Sequence, residues 1–317
     1  MICQSLRLGT DNLGRQGPCC RFRHQSVMRL CHDLMTMSNP NPAELSPVSS
    51  RISPTASPRL VALAEAVLVG GVKARNSLRR RRDGELVAKA PRDYQTEIDV
   101  AVERIIIDEL NKSFPTYAIK GEEAVGNRNA KDGAPVIYID PIDGTTNFAW
   151  GIPHFGITIS IVEDGQLVAG VVYDAMLDEL FSAELAGGAY LDGQQIQCVN
   201  SKGTEDVLVG AGLPIPGQLK AVPEEVYFNA LKRLMATTAG VRRLGSAALS
   251  IAYVACGRPD GFFEDGLSLH DYGASALLVR EAGGVVSAFN GGLVTANGDI
   301  LAGNRRLHPW LVEGFQP

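Results

Sequence analysis

Residues 138–148 read Tyr138-Ile139-Asp140-Pro141-Ile142-Asp143-Gly144-Thr145-Thr146-Asn147-Phe148, and this stretch decides how the rest of the chain is interpreted. It follows an apolar run at 136–139 that is typical of a buried strand. Because Pro141 has no N–H to donate to a sheet, we predict that the strand ends there and that both aspartates lie on a loop at its carboxyl end. Gly144 allows a ligand to approach the backbone closely, and the polar residues after it are candidate helix N-caps.

Two carboxylates followed by a helix N-terminus suit a hard cation on one side and an anion on the other, and Mg²⁺ with phosphate is the simplest such pair. The stretch 140–148 resembles the central signature of the inositol monophosphatase family of lithium-sensitive, metal-dependent sugar phosphatases. Three further blocks agree with this resemblance in order and spacing, and together they cover roughly residues 58–315. These blocks are Thr96-Glu97-Ile98-Asp99, Gly121-Glu122-Glu123, and Leu269-His270-Asp271-Tyr272-Gly273-Ala274 with Glu281-Ala282-Gly283-Gly284.

The resemblance implies an α+β fold, a layered αβαβα sandwich of the inositol monophosphatase and fructose-1,6-bisphosphatase type, and a homodimer. The residues alone predict mixed α and β structure. We expect one domain at 58–317, with a metal-binding antiparallel-sheet half at 58–203 and an α/β half at 204–317. The apolar run at 167–173 follows the strand at 156–162 after the turn residues Glu163-Asp164-Gly165-Gln166, which predicts a hairpin.

Residues 1–57 differ in composition from the rest of the chain. They hold six arginines against Asp11, Asp33 and Glu44, and four of the six cysteines of the chain. Ser and Pro accumulate towards residue 58, and no helical or strand period holds, so we predict a disordered tail. An upstream start codon and an organelle transit segment are the alternative explanations.

The composition excludes several classes of protein. The chain has 317 residues, 45% hydrophobic and 21% charged, which is ordinary for a soluble globular protein. A net charge of −5 gives no reason to expect nucleic acid or an anionic membrane as the main partner, and no apolar run is long enough to span a bilayer. Cys198 and Cys256 are most simply free thiols of a reducing compartment, which favours a cytoplasmic location. The run Arg79–Arg82 is either a partner-binding patch or a solvated helix end.

The resemblance implies a set of metal ligands for two or three Mg²⁺ ions. Taken singly, each acid has an ordinary alternative role, such as helix capping for Asp99 or a first-turn position for Asp271. Clustered carboxylates without a cation would repel one another, and the absence of His and Cys from the set favours Mg²⁺ over zinc. The implied ligands are Glu122, Asp140, Ile142 through its carbonyl, Asp143 and Asp271.

The resemblance also implies the catalytic roles. Asp99 and the Thr145 hydroxyl, with Glu122, are expected to activate a water that attacks a phosphate monoester directly, and Lys89 lies on a loop expected to help close the metal site. The substrate-binding residues implied are Asp143, Gly144, Thr145, Gly245, Ser246, Ala247, Glu264 and Asp271. A reaction through an aspartyl-phosphate is the mechanistic alternative, but its nucleophile loop places the two aspartates two apart and here they are three apart.

The resemblance favours inositol-1-phosphate, within the wider class of small phosphorylated polyols and sugars. Relatives act on histidinol phosphate, fructose-1,6-bisphosphate, NADP or 3′-phosphoadenosine 5′-phosphate, and His270 keeps these open because the family commonly has Trp before the last metal-binding aspartate. Histidinol-phosphate members often have lysine where Thr146 stands. A non-enzymatic role as a regulator associated with RNA polymerase or the ribosome is the alternative from another class.

Overall fold

The computed structural model describes residues 47–78, 87–90, 93–95, 97–131, 133–199, 203–215 and 217–316, with side chains described outside 87–95. The compact unit that contains them runs from Ser46 to Pro317. The predictions for residues 1–46, for Thr96, for the Arg79–Arg82 run and for the Lys89 side chain lie outside this description.

The helices and strands alternate along most of the described chain. The helices are α1 (Val48–Arg51), α2 (Pro58–Ser77), α3 (Glu97–Ser113), α4 (Thr145–Ala149), α5 (Glu224–Thr237), α6 (Ala247–Ala255), α7 (Leu269–Glu281) and α8 (His308–Glu313). The strands are β1 (Val87–Ala90), β2 (Asp93–Gln95), β3 (Ala118–Gly121), β4 (Val136–Asp143), β5 (Gly156–Glu163), β6 (Gln166–Asp174), β7 (Glu179–Glu184), β8 (Gly188–Leu191), β9 (Gln194–Gln195), β10 (Leu208–Ala211), β11 (Gly240–Arg242), β12 (Gly261–Glu264), β13 (Val285–Ser287) and β14 (Ile300–Gly303).

The larger sheet contains β3 to β9 in sequence order, with β3 parallel to β4 and every other pair antiparallel. The predicted hairpin is confirmed, since Glu163 pairs with Gln166 across a two-residue turn. Asp164 and Gly165 in that turn have φ of 50° and 75°, the left-handed conformation that tight hairpin turns require.

Strand β4 corrects the prediction that Pro141 ends the strand. Asp140 pairs with Thr158 of β5, and the ladder resumes where Asp143 pairs with Gly156. β4 therefore has one residue more than β5 in this interval, which is a β-bulge, and a bulge is one of the few strand positions that tolerate proline. Both aspartates consequently lie on a strand paired with its neighbour and not on a free loop.

The smaller sheet has the order β11-β10-β12-β14-β13, with β10 parallel to β11 and β12 and the other pairs antiparallel. Helices α2 and α3 cover one face of the larger sheet, α6 and α7 pack between the two sheets, and α5 and α8 cover the remaining face of the smaller one. The fold is the αβαβα sandwich that was predicted. Among the residues that the structure describes, none of the helices has the length and apolarity that a membrane crossing requires.

Helix α2 packs unusually closely against its neighbours. It continues through Gly70 and Gly71 to Ser77. Glycine is needed at both positions, because a Cβ at Gly70 would lie 2.7 Å from Ile106 of α3 and one at Gly71 would lie 2.2 Å from Tyr173 of β6. Two glycines inside a helix cost stability relative to alanine, so their place here is explained by this close approach.

The segment at 47–57, which was expected to belong to the tail, packs on the larger sheet. Arg51 is buried, and its Nη1 donates to Asp178 Oδ1 at 2.9 Å while its Nε donates to Asp192 Oδ1 at 2.7 Å. These bonds attach the segment to the β6–β7 and β8–β9 turns.

Candidate active site

Three aspartates from distant parts of the chain converge at one end of the larger sheet. One carboxylate oxygen from each of Asp140, Asp143 and Asp271 lies within 4.8 Å of the other two. The first two are on the bulged end of β4, and Asp271 is the third residue of α7. The structure therefore brings together three of the residues that the sequence predicted as metal ligands.

Backbone N–H groups hold two of these carboxylates in place. Asp140 Oδ1 accepts a hydrogen bond from the Ile142 amide at 2.9 Å. Asp271 Oδ2 accepts from the Ser268 amide at 2.6 Å, across the first turn of α7. The pairing of β4 with β5 and the capping of α7 thus fix the side chains as well as the backbone.

Asp143 is held by the N-terminus of α6. Its Oδ2 accepts from the Ala248 amide at 2.8 Å and from the Ser246 hydroxyl, and its Oδ1 accepts from the Ala247 amide at 3.3 Å. The Ser246 hydroxyl also caps α6 by accepting from the Leu249 amide at 3.2 Å. Ser246 and Ala247, predicted as substrate-binding, therefore orient a predicted metal ligand.

Burial and mutual repulsion make the cluster hard to ionise. The pKa of Asp143 is raised to about 7, first by burial and then by the charge of Asp271, and the hydrogen bonds from α6 oppose this rise. The pKa of Asp140 is raised well above its ordinary value by burial and then by the charges of Glu122, Asp143 and Asp271. Burial also raises the pKa of Asp271. A divalent cation relieves this cost, and an all-oxygen donor set suits Mg²⁺, so the residues present fit the predicted metal.

Glu122 and Ile142 lie beside the three aspartates. Glu122 lines the same cavity as Asp143 and Asp271, and its amide donates to the Ile139 carbonyl, one residue before Asp140, at 3.0 Å. The Ile142 carbonyl accepts from the Thr145 hydroxyl at 3.1 Å. The group of carboxylates within 4.8 Å of one another is formed by the three aspartates, with Glu122 at its edge.

Asp99 and Thr145 meet, as the resemblance implied. Thr145 Oγ1 lies 3.3 Å from Asp99 Oδ1, and Asp99 is fully buried on α3. Gly144, which precedes α4, has φ of 100°, and a Cβ on it would lie 2.9 Å from the Gly245 carbonyl. Only glycine fits there, and it allows the N-terminal turn of α4 to lie against the loop before α6.

A cavity of about 530 Å³ opens beside the cluster. Glu122, Asp143, Asp271, Glu264 and residues 245–247, all predicted as site residues, line it. The pKa of Glu264, at the end of β12, is raised to about 8, first by burial and then by the charges of Asp143 and Asp271.

Sequence reasoning missed Gln218 and Arg243, which line the cavity. Gln218 Nε2 lies 3.5 Å from Glu264 Oε1 and donates to the Asp265 carbonyl at 3.1 Å. Arg243 lines the cavity, and its charge opposes the rise in the pKa of Glu264. Gln218 lies in a loop without a motif, whereas an arginine two residues before Gly245 was a signal that could have been used.

His270 also lines the cavity, with its ring edge-on to Tyr138 at 5.3 Å between centroids. Its Nδ1 lies 3.2 Å from Ser268 Oγ, and its Nε2 is buried with no hydrogen-bond partner among the residues that the structure describes. The imidazole stands where a tryptophan was expected, so it changes the cavity wall and leaves the carboxylate cluster intact.

The layered sheets and the carboxylate cluster beside a cavity define an α+β protein with a candidate site for divalent cations. Residues 56–317 match the model of the inositol monophosphatase family. The inositol-1-monophosphatase of Mesorhizobium japonicum is 40% identical over 260 residues, which cover 80% of this chain and 96% of that protein. Nus factor SuhB of Pseudomonas aeruginosa is 42% identical over 232 residues, 72% of this chain and 85% of that protein.

A solved structure of a suhB protein is also similar to this chain. The crystal structure of the extragenic suppressor protein suhB from Bartonella henselae has a TM-score of 0.76 and 34% sequence identity, and the match covers 82% of this chain and 99% of that one. The chain belongs to the inositol monophosphatase family.

Proposed function

We propose that the protein hydrolyses a small phosphate monoester, with inositol-1-phosphate as the favoured substrate. The observation that carries the proposal is the convergence of Asp140, Asp143 and Asp271 within 4.8 Å, beside a cavity that ends at Glu264. Membership of the inositol monophosphatase family supports a phosphatase, and the relative from Mesorhizobium japonicum bears the name of the inositol phosphatase.

Glu122, Asp140, Asp143, Asp271 and the Ile142 carbonyl would hold Mg²⁺, and we infer two or three ions per site. When bound, Mg²⁺ supplies Lewis-acid stabilisation of the charge that develops on the phosphate and leaving oxygens. The charges of Glu122, Asp143 and Asp271 all raise the pKa of Asp140, which supports a role for it in both halves of the site.

Asp99 and Thr145 supply the proton transfer. The carboxylate of Asp99, buried on α3, orients the Thr145 hydroxyl, and the hydroxyl in turn positions the water that attacks phosphorus. The Thr145 hydroxyl donates its one hydrogen to Asp99, and its free lone pair can accept a hydrogen bond from that water. As the water attacks, its proton passes to the Thr145 oxygen while the Thr145 proton passes to the Asp99 carboxylate. The amides of Gly144 and Thr145 point to the phosphate oxygens, since they begin α4 and lack partners within that helix.

The far wall of the cavity selects the leaving alcohol. Glu264 is placed to accept a hydrogen bond from a substrate hydroxyl, and Gln218 steadies its carboxylate. A polyol or sugar phosphate supplies such hydroxyls. His270 and Arg243 complete the wall, and their polarity is compatible with the heterocyclic alternatives, histidinol phosphate and 3′-phosphoadenosine 5′-phosphate.

A panel of phosphate monoesters assayed for phosphate release with Mg²⁺, and again with added Li⁺, tests this proposal. We expect inositol-1-phosphate to give the highest kcat/KM and Li⁺ to inhibit. If no member of the panel were hydrolysed above the rate of the Asp140→Asn variant, the hydrolase proposal would be wrong. A different preferred substrate would leave the reaction in place and correct its specificity.

The regulatory alternative has its own support, because relatives such as the one from Pseudomonas aeruginosa are named Nus factors. Asp140→Asn separates the two roles as well. A regulatory function that needs no hydrolysis would persist in this variant in cells, whereas a function through the phosphatase would be lost. We also propose a homodimer, for which the mass measured by light scattering after gel filtration is the test.

A further inference from the structure

Helix α3 carries a second buried carboxylate that the proposed reaction does not use. Asp99 and Glu103 are one turn apart on α3, and both are fully buried. Positions four apart lie on the same face of a helix, so both carboxylates point towards the β3–β4 end of the larger sheet. Glutamate is almost never fully buried unless its charge is matched by partners, which makes the partners of Glu103 informative.

The partners of Glu103 are two amides of the loop that follows β3. Its Oε2 accepts from the Glu123 amide at 2.8 Å, and its Oε1 accepts from the Val125 amide at 2.8 Å. A Cβ on Gly121 would lie 2.3 Å from the Glu103 carboxyl carbon, so the carboxylate lies directly against the Gly121 backbone. The Glu103 side chain thus binds the 121–125 loop by two hydrogen bonds and by its contact with Gly121.

Glu122 lies between the residues of the loop that contact Glu103. On its other side, the Glu122 amide donates to the Ile139 carbonyl of β4, and the Gly121 amide donates to Asn127 Oδ1 at 2.7 Å. The backbone on both sides of Glu122 is therefore fixed, to β4 by its own amide and to α3 by the next one. The Glu122 side chain lines the cavity, and its charge acts on Asp140.

We propose that Glu103 is a positioning residue for the metal site, which acts by holding the 121–125 loop so that the Glu122 carboxylate faces Asp140. This inference rests on the proposed function, in which Glu122 is a ligand of Mg²⁺. Because Asp99 is one turn away on the same helix, α3 then fixes the spacing between the Asp99–Thr145 pair and the Glu122 ligand. Groups that orient metal ligands typically affect metal affinity by about 10- to 100-fold when they are changed.

The test variant is Glu103→Gln, which has nearly the same size but places an NH₂ group against one of the two loop amides. We expect the dissociation constant for Mg²⁺, measured by titration calorimetry, to rise about tenfold. We also expect faster hydrogen exchange at the Glu123 and Val125 amides, and near-normal maximal activity at saturating Mg²⁺.

The matched control is Asp299→Asn. Asp299 is also buried and holds a loop, because its Oδ2 accepts from the Phe289 amide at 2.8 Å, and it lies outside the proposed site. We expect this variant to lower the melting temperature and to leave the Mg²⁺ dissociation constant unchanged. If Glu103→Gln behaved in the same way, losing stability with unchanged Mg²⁺ affinity, Glu103 would be a structural residue only and the inference would be overturned.

A double-mutant cycle with Glu122→Gln tests whether Glu103 acts through Glu122. If it does, Glu103→Gln has little further effect on Mg²⁺ affinity once Glu122 is changed, and additive effects would contradict the inference. If Glu122→Gln alone leaves Mg²⁺ affinity unchanged, the ligand assignment of the proposed function fails instead. Should Glu103→Gln not fold, Glu103→Asp replaces it in the same cycle, because it keeps both acceptor oxygens on a shorter side chain.

Discussion

The two ends of the cavity are built differently. At the carboxylate end, backbone amides hold Asp140, Asp143 and Asp271, and Glu103 holds the loop of Glu122 in the same way. At the far end, the described partner of the Glu264 carboxylate is the side chain of Gln218, at a long 3.5 Å.

The difference indicates a division of labour. Carboxylates held by helix termini and strand edges keep their positions to within a fraction of an ångström, which a metal-assisted reaction requires. The wall formed by Glu264 and Gln218 depends on contacts between side chains, so it is free to vary among relatives without disturbing the reaction. Variants at the carboxylate end should therefore affect turnover, and variants at the far end should affect the choice of substrate.

Asp140→Asn should have the largest effect. Asp140 interacts with Glu122, Asp143 and Asp271, and the amide has one oxygen fewer and no charge to offer a cation. We expect Mg²⁺-dependent phosphatase activity to fall about 10³-fold or more, measured as kcat on the best substrate of the panel. Asp108→Asn, on an exposed position of α3, is the control and should retain normal activity. Undiminished activity of Asp140→Asn would contradict the whole assignment of the site.

Thr145→Val should have the next largest effect. Valine has nearly the shape of threonine but has no hydroxyl to bond to Asp99 or to accept a proton from the attacking water. We expect kcat to fall about 10²-fold, with Mg²⁺ affinity changed little. Thr145→Ser keeps the hydroxyl and is the matched control, expected within about tenfold of the original enzyme. A loss in Thr145→Val no larger than the loss in Thr145→Ser would contradict a role for the hydroxyl.

The two ends of the cavity also differ in how much of each could be predicted from the sequence. The αβαβα fold and the convergence of the aspartates were predicted, because short motifs with strong chemical requirements identify both. Ser246 and Ala247 were predicted as substrate-binding residues and line the cavity, but their hydrogen bonds to Asp143 were not predicted. The amides at the N-terminus of α6 bind Asp143 only because the fold places β4, from a distant part of the chain, beside that helix.

Two errors have physical explanations. Pro141 was expected to end β4, but a bulge accommodates it and the pairing resumes at Asp143, a choice that depends on β5 and not on local sequence. Gln218 and Glu103 were missed because a glutamine in a loop and a glutamate in a helix are ordinary surface residues by pattern. Their burial and their partners result from tertiary packing alone.

Glu264→Gln should affect substrate binding more than turnover. The Glu264 side chain lines the cavity and is half-buried, and it comes from β12, a different element from α4, whose amides are proposed to hold the phosphate. We expect KM for inositol-1-phosphate to rise about tenfold and kcat to change about threefold or less, since one charge-assisted hydrogen bond to a substrate hydroxyl is lost. Steady-state kinetics on the same substrate panel measures the split. A fall in kcat alone would place Glu264 with the carboxylate end and remove the contrast between the two ends.

The smallest expected effect is on the stability of the metal-free protein. It allows Asp143, at the carboxylate end, to be compared directly with Glu264. In the folded protein the pKa of Asp143 is raised to about 7 and that of Glu264 to about 8, above the values of an unfolded chain. Between the unfolded and folded pKa values the folded state binds more protons, so the stability contributed by each group is lost as pH rises through its folded pKa. The metal-free protein should thus melt at a lower temperature at pH 8.5 than at pH 6.5.

Comparison with Glu264→Gln isolates the contribution of Glu264. The histidines His154, His270 and His308, whose lowered pKa values act in the opposite direction, are present in both proteins. We expect the melting temperature of the original protein to fall on the order of 5 °C further than that of the variant over this pH interval, measured by calorimetry with a chelator present. Saturating Mg²⁺ should suppress the share due to Asp143, because a bound cation keeps that carboxylate ionised at both pH values. Parallel melting curves for the two metal-free proteins would show that Glu264 is ionised throughout, as a solvated carboxylate would be, and that the far end of the cavity is open to water.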